Sequence, residues 1–487
     1  MLKHSYPKSV KDFRSNQGKQ EQFSRVAPVI GAALLLGTGG GFVLATILTL
    51  TSALNVLLGS WWTAIAQAHG HLQLYGWAGL FVLGVAFHFL PRLRGTPLVS
   101  AWLVPWLLGA QITGLLLRVL SQPLLAASGI GIWRVLLIGS GVLECIAIGG
   151  AVVLFVLTML RGPSLTTRPA FMGVLPLMMG AFLALGVATI VNLENVIVAA
   201  TSSGLIPDPG DALNVILGLF GFLIPVALAM SAQSLPMYAG LTAFPRRILW
   251  PLTTGYWIGV VLYCLSLFPS IWSSEVMGGG LFCIGAVLLI FTAIFIGMMR
   301  TRGRLPRKVA QLAPTPEVAA RNYQKRVRNE NNAYGPFVAL VASAYLWTIL
   351  GGILLLIDGL ALLGGLAPVV DLDIIRHSFA VGFITLLICG ISPRMIPGFS
   401  GGKIMSPRLV VATLWLGNGA AVLRVGSLLL APLLSGAVVG GISFDTVLFG
   451  LSGPTGLALA ICLTINLWPA LWPRRSGHRD AVRVEVE

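Results

Sequence analysis

Twelve apolar runs, each more than 20 residues long, occur in this chain of 487 residues. A helix needs about 20 apolar residues to cross the roughly 30 Å of hydrocarbon in a bilayer. Hydrophobic residues make up 56% of the chain and charged residues only 10%, which excludes an ordinary soluble protein. The sequence therefore predicts an all-α polytopic membrane protein with about twelve transmembrane helices. The runs lie at about 26–54, 70–91, 98–120, 131–160, 170–193, 212–238, 248–269, 277–299, 335–357, 372–397, 409–431 and 447–470.

The distribution of charge predicts the orientation of these helices. The formal net charge is +16, and if the N-terminus is cytoplasmic, 28 of the 32 Lys and Arg residues fall on cytoplasmic segments. This is the pattern of the positive-inside rule, so the basic charge does not indicate nucleic-acid binding. We expect a multi-pass protein of the bacterial inner membrane with both termini in the cytoplasm. The four remaining basic residues are Arg118, Arg134, Arg376 and Arg424.

The second predicted helix recurs in the tenth. HLQLYGWAGLFVLGVAFHFLP, which begins at His71, aligns without gaps to HSFAVGFITLLICGISPRMIP, which begins at His377. A weaker match in the sixth helix has Ile216 at the histidine position. These matches predict three parallel four-helix repeats. The aligned pairs, all 306 residues apart, are His71 with His377, Gly76 with Gly382, Trp77 with Phe383, Gly84 with Gly390, Pro91 with Pro397 and Arg118 with Arg424.

The predicted organisation follows from the repeats and the polar segments between them. It comprises a basic cytoplasmic tail at 1–25, repeats at 26–160, 170–299 and 335–470, a basic cytoplasmic linker at 300–334 and a second tail at 471–487. The five cysteines lie in different predicted helices without CxxC spacing, so neither a disulfide framework nor a thiolate metal site is indicated.

Three of the six histidines are predicted to meet at the outer end of the bundle. They are His69 and His71 on helix two and His377 on helix ten, whereas His88 lies roughly 25 Å further along helix two. An imidazole within a span is a candidate ligand for haem iron or copper; the alternative is a hydrogen bond to a nearby carbonyl. Residues two apart on a helix point about 200° away from each other, so His69 and His71 do not both face one ligand within a continuous helix.

Equivalent histidines on facing helices are suited to holding a planar macrocycle, and glycines in both helices favour its close approach. The propionates of a haem need cations, and Arg118, Arg424 and Arg376 are expected on the same side. In the alternative interpretation, the side chains of these arginines extend to the lipid head groups of the outer leaflet. Glu144 is an acid deep within the fourth helix, and the sequence leaves three roles for it: proton relay, pairing with an arginine, or a local hydrogen bond.

The stretch HGHLQLYG, residues 69–76, followed by Pro91, resembles the histidine motif of the NnrS family. These are bacterial twelve-helix membrane proteins that contain haem and copper and are linked to the response to nitric oxide. Leu72 and Gln73 stand where the family motif usually has Glu-Met. More distantly, the chain resembles subunit I of the haem-copper oxidases and nitric oxide reductases, in which histidines of helices two and ten hold a low-spin haem.

This resemblance implies a haem-copper oxidase subunit I-like fold with haem b between His71 and His377, and with His69 as a further ligand. The sequence has no histidine in helices six and seven, where the oxidases hold their second metal. A complete haem-copper centre is therefore not expected, and we assign no catalytic residue.

Three functions remain open from the sequence. One is a haem-binding membrane protein acting in electron transfer, with a quinol or cytochrome as donor, or in the response to nitric oxide. Another is a copper-binding membrane protein with His69, His71 and His377 as ligands, and the last is a transporter without a cofactor. Membrane lipid is the partner that all three share.

Overall fold

A computed structural model describes residues 23–473, apart from 57–58, 60, 168, 269, 271–272, 301–314 and 435. Most of the predicted tails at 1–25 and 471–487, part of the linker at 300–334, His4 and His478 lie outside the described residues. Within these residues, 12 helices are long and apolar enough to cross a membrane. The chain is an all-α, multi-pass membrane protein.

The membrane-spanning helices are numbered here in chain order. Helix 2 begins nine residues earlier than the apolar pattern predicted, because the stretch containing Gln67 continues the helix despite its polarity. The helices are helix 1 (Ala27–Ala53), helix 2 (Trp61–Arg94), helix 3 (Ala101–Ser128), helix 4 (Gly131–Arg161), helix 5 (Phe171–Thr201), helix 6 (Asp208–Gln233), helix 7 (Arg246–Leu265), helix 8 (Ser274–Arg300), helix 9 (Phe337–Leu363), helix 10 (Leu372–Ser400), helix 11 (Pro407–Leu429) and helix 12 (Phe444–Leu471).

Short elements complete the described chain. They include a helical turn at Leu235–Ala239 after helix 6 and a small antiparallel hairpin, in which Val438–Val439 pairs with Ile442–Ser443, before helix 12. Helices 2, 4 and 8 end in basic residues, and we call that side of the bundle the basic side. Helices 6, 8, 10 and 12 begin with acidic residues on the opposite side, which we call the acidic side.

Helices 2, 6 and 10 form the centre of the bundle. In these helices 72–83% of the most apolar 18-residue window is buried, against 28–50% in the other nine. Successive helices contact one another along the series 11-12-1-2, 3-4-5-6 and 7-8-9-10. The histidine-bearing helices 2 and 10 are thus shielded from lipid by the surrounding helices.

The three central helices share an irregular backbone. Each contains a π-helical segment, in which hydrogen bonds span five residues instead of four. These segments are Leu72–Ala78, Ile216–Leu223 and Ser378–Thr385, and they contact one another at the centre of the bundle. Each π segment therefore starts at, or one residue after, the aligned position in its helix. Those positions hold His71, Ile216 and His377.

The same three chain segments also end alike. Gly95, Gly240 and Gly401 close them with φ of 72°, 68° and 75°, and the second and third glycines follow the first by 145 and 306 residues. A left-handed residue at a helix end strongly favours glycine, because a Cβ clashes in that conformation. The left-handed glycines therefore recur at the same spacing as the aligned positions, which hold His71, Ile216 and His377.

Part of the predicted linker is a helix. Pro316–Tyr334 begins after Thr315, whose side chain accepts a hydrogen bond from the Val318 amide, and it contacts helix 11. The Tyr323 hydroxyl lies 3.4 Å from the Gly240 carbonyl, and Glu330 pairs with Arg394 at 3.6 Å. This linker helix therefore packs along the basic side of the bundle.

Close packing of helices 1 and 12 provides a first test of the fold. A Cβ on Gly453 of helix 12 would lie 2.7 Å from both the Ala45 carbonyl oxygen and the Thr46 Cα of helix 1. Backbone atoms cannot yield locally, so Gly453→Leu is expected to lower the free energy of unfolding by about 2 kcal/mol. Thermal unfolding in detergent measures the loss. Gly149→Leu on helix 4 is the matched control, because a Cβ there meets nothing within 4 Å, and an equal loss in both variants would contradict this packing.

Candidate cofactor site on the acidic side of helices 2 and 10

Helix 2 is continuous through both of its outer histidines, so their side chains point in different directions. His69 reaches helix 1, where its Nδ1 lies 2.9 Å from the Gly41 carbonyl oxygen. His71 reaches helix 4, where its Nε2 lies 2.5 Å from Glu144 Oε2. The prediction that the two imidazoles face apart is confirmed.

His71 and Glu144 form a buried pair, with side-chain exposures of 3% and 1%. The Tyr75 hydroxyl donates to Asn214 Oδ1 at 3.0 Å, which leaves the Asn214 amide nitrogen facing His71 Nδ1 at 3.4 Å. Because that nitrogen only donates, Nδ1 is the acceptor and the imidazole proton lies on Nε2, directed at Glu144. Both ring nitrogens of His71 are thus engaged by the protein, and Glu144 has a local partner.

Arg118 belongs to the same buried polar region. Its guanidinium donates to Gln122 at 2.7 Å and to Asn192 at 3.0 Å, and Gln122 donates to Gln67 at 2.9 Å. Arg118 is only 1% exposed, so it does not extend to the lipid head groups. The Arg118 guanidinium is therefore hydrogen-bonded to side chains of helices 3 and 5.

His69 and His377 belong to a second group of polar residues, which also contains Asp373 and Arg424. His377 Nδ1 lies 3.0 Å from Asp373 Oδ1 and 2.9 Å from the Asp373 carbonyl oxygen. The partners of both Nδ1 atoms are acceptors, so Nδ1 carries the proton in each neutral imidazole. Each Nε2 therefore has a lone pair available for a ligand. The structure brings His377 together with His69, and it places His71 against Glu144.

Two of the predicted propionate-binding arginines also lie on this side. Arg424 pairs with Asp373 and lies 4.5 Å from the centre of the Phe449 ring. Its Nη1 is buried without a hydrogen-bond partner among the described residues. Arg376 lies beside the side chain of Tyr263 on helix 7. Arg424 is thus the cation with an unused donor beside His69 and His377.

The glycines expected to admit a flat ligand have another role in the structure. A Cβ on Gly382 would lie 2.7 Å from the Trp347 Cβ, and one on Gly76 would lie 2.7 Å from a methyl group of Leu72. Gly84 and Gly390 meet atoms of helices 1 and 9 in the same way. These positions allow close packing of side chains and helices.

His88, for which the sequence offered no role, lies near the basic side. Its Nε2 accepts a hydrogen bond from Arg92 Nη1, one turn further along helix 2. The imidazole is fully buried and packs against Phe399, with ring centres 4.2 Å apart. His88 is therefore near the opposite end of helix 2 from His69 and His71, as predicted.

Asp373 and Asn214 are the site residues that sequence reasoning missed. Asp373 precedes His377 by four residues in the first turns of helix 10, a spacing that places the two side chains on one helix face. That signal was present in the sequence. Asn214 belongs to helix 6, and no sequence pattern indicates its contact with His71.

Within the described residues, no group of three or more His, Cys, Asp or Glu side chains is arranged to hold a metal ion. No model of a known protein family matches the chain, and no curated protein matches it.

Proposed function

We propose that this protein binds haem b on the acidic side of the bundle, with the Nε2 atoms of His69 and His377 as the axial ligands. The observation that carries this proposal is the hydrogen bonding of the two imidazoles, in which Nδ1 of each ring meets an acceptor and Nε2 has no hydrogen-bond partner among the described residues. Metal-bound histidines typically donate their second ring N–H to a carboxylate or backbone carbonyl in this way. His69 replaces His71 in the predicted pair, because both nitrogens of His71 are engaged elsewhere.

The residues around the two imidazoles suit an iron porphyrin. Asp373 holds the proton on His377 Nδ1 and so orients the ring. Arg424 presents an unpaired, buried N–H beside it, which suits the carboxylate of a propionate. Haem, when bound, supplies a one-electron iron centre. His69 and His377 would hold the iron through two imidazoles, which would favour electron transfer over direct gas binding.

The arrangement of the helices supports the same proposal. Three contacting series of four helices around helices 2, 6 and 10 support the subunit I-like fold that we propose from the sequence. The recurring π segments and left-handed glycines support descent from three parallel four-helix repeats. In helix 6 the histidine position holds Ile216, consistent with a single haem site.

We propose the bacterial inner membrane as the location, with the basic side cytoplasmic, and a quinol or cytochrome as the electron donor. A role in the nitric oxide response fits the NnrS resemblance.

An absorption spectrum of the purified protein tests the proposal. Haem-supplied cells should yield protein with a Soret band and a six-coordinate, low-spin spectrum. His377→Ala and His69→Ala should each lose the haem or convert it to a five-coordinate form, because each removes one axial ligand. His88→Gln, remote from the site, is the control and should keep the wild-type spectrum.

His71→Ala distinguishes the two axial pairs. It should retain a low-spin haem if His69 is the ligand, although the protein should be less stable. If His71→Ala lost the haem and His69→Ala kept it, the axial pair would be His71 and His377. Colourless protein with stoichiometric copper would instead support the copper-binding function, and protein without either would support a transporter.

A further inference from the structure

A cleft of about 550 Å³ opens on the basic side of the bundle, at the opposite end of helix 2 from the proposed haem site. It lies between the start of helix 1, the end of helix 2 and the start of helix 3. Val26, Phe87, Leu98 and Val104 supply apolar walls. The cleft is therefore distinct from the polar clusters around His69 and His71.

Two arginines, Arg25 and Arg92, line this cleft. The nearby Arg94 is directed elsewhere, because its guanidinium binds the carbonyl oxygens of Met159, Gly162 and Pro163 at the end of helix 4. The positive charge of the cleft is thus contributed by two side chains on different helices.

His88 gives one of these arginines a fixed position. Its buried imidazole accepts a hydrogen bond from Arg92, and the Arg92 guanidinium lies 6.0 Å from the ring centre of Phe399. Phe23 and Phe399 pack against the imidazole, with ring centres at 5.3 and 4.2 Å. Because Nε2 accepts, His88 is neutral and adds no charge to the cleft. It acts as a positioning residue for Arg92.

The residues that line the cleft indicate the kind of molecule that it binds. Apolar walls beneath two guanidinium groups suit a molecule with an anionic head and hydrocarbon chains, and arginine binds phosphate oxygens well. Anionic phospholipids concentrate in the leaflet that faces basic protein segments. The N-terminal segment, residues 1–24, carries five Lys and Arg and two acids, so its charge has the same sign as that of the cleft.

We propose that this cleft binds one anionic phospholipid, with Arg25 and Arg92 on its phosphate and an acyl chain against Pro97 and Leu98. The site is independent of haem, so its test does not depend on the proposed function. It assigns His88 and Arg92, which the haem site leaves unused, to lipid recognition.

Native mass spectrometry of the detergent-solubilised full chain tests this proposal with phosphatidylglycerol and phosphatidylcholine as probes. The wild type should retain one phosphatidylglycerol in preference to phosphatidylcholine. Arg25→Gln should weaken phosphatidylglycerol binding by about fivefold, the effect of one arginine charge near a lipid surface. Ala101→Trp, which fills the cleft, should abolish the preference, and His88→Leu should weaken binding while Arg25 is intact.

Arg246→Gln is the matched control, since Arg246 is an exposed arginine at the start of helix 7 outside the cleft. It should leave phosphatidylglycerol binding unchanged. Equal losses in Arg25→Gln and Arg246→Gln, or no preference for phosphatidylglycerol in the wild type, would overturn the site. Stronger lipid binding after deletion of residues 2–20 would show that the N-terminal segment occupies the cleft and would also overturn it.

Discussion

Replacing Glu144 with leucine is expected to lower the free energy of unfolding by about 4 kcal/mol, because it leaves the buried imidazole of His71 without its partner. Glu144 and His71 are 1% and 4% exposed, so water cannot take the place of the lost carboxylate. Glu144→Gln should cost less, since an amide oxygen still accepts from His71 Nε2. Thermal unfolding of the detergent-solubilised variants measures both losses.

The double variant of this pair sharpens the prediction. His71→Leu alone should also destabilise the protein, because it leaves the Glu144 carboxylate buried and unpaired. Replacing both residues with leucine should recover much of the stability, since removing both members of a buried pair is often nearly neutral. Strictly additive losses in the double variant would contradict direct coupling between the two side chains.

Replacing Arg94 with leucine is expected to destabilise the protein to a similar extent, by about 4 kcal/mol. Arg94 is 5% exposed and donates to three backbone carbonyls at the end of helix 4, including Met159 at 2.7 Å and Gly162 at 2.9 Å. The buried Met159 carbonyl costs about 1–3 kcal/mol without a donor, and the partly buried carbonyls of Gly162 and Pro163 add smaller losses. The midpoint of thermal unfolding measures the change.

Two further variants make this prediction specific. Arg94→Lys should recover only part of the loss, because a single ammonium cannot reproduce the planar geometry that reaches three acceptors. Arg161→Leu is the matched control, since this exposed arginine lies at the same helix end. A lysine variant as stable as the wild type would indicate that the charge matters and the hydrogen-bond geometry does not.

The number of helices was predictable from the sequence because the hydrocarbon thickness imposes one length on every span. The start of helix 2 was not, since Gln67 interrupts the apolar pattern. The structure explains its polarity, because Gln67 binds the Ile206 carbonyl and Gln122 inside the protein. A polar residue that is satisfied by another helix is indistinguishable in sequence from one in a loop.

The candidate site was predictable only in part, for a related reason. The three histidines were correctly assigned to helices 2 and 10, and residues two apart on helix 2 do face apart. Which imidazole meets Glu144 depends on the rotation of helix 2 relative to helix 4, and sequence spacing does not specify it. The partners of His377 and His88 were accessible, since Asp373 and Arg92 each lie four residues away on the same helix.

The π segment of helix 2 changes the direction in which side chains after it point, relative to those before it. His71 and Arg94 are 23 residues apart, so on a regular α-helix their side chains would diverge by about 140°. A π segment counts as one inserted residue, which reduces the divergence to about 40°. Both side chains therefore face helix 4, where His71 meets Glu144 and Arg94 meets the helix end. Deletion of one residue within Leu72–Ala78 would place His71 and Arg94 22 residues apart on a regular helix, at the same divergence of about 40°. Both contacts with helix 4 are therefore expected to survive the loss of the π segment.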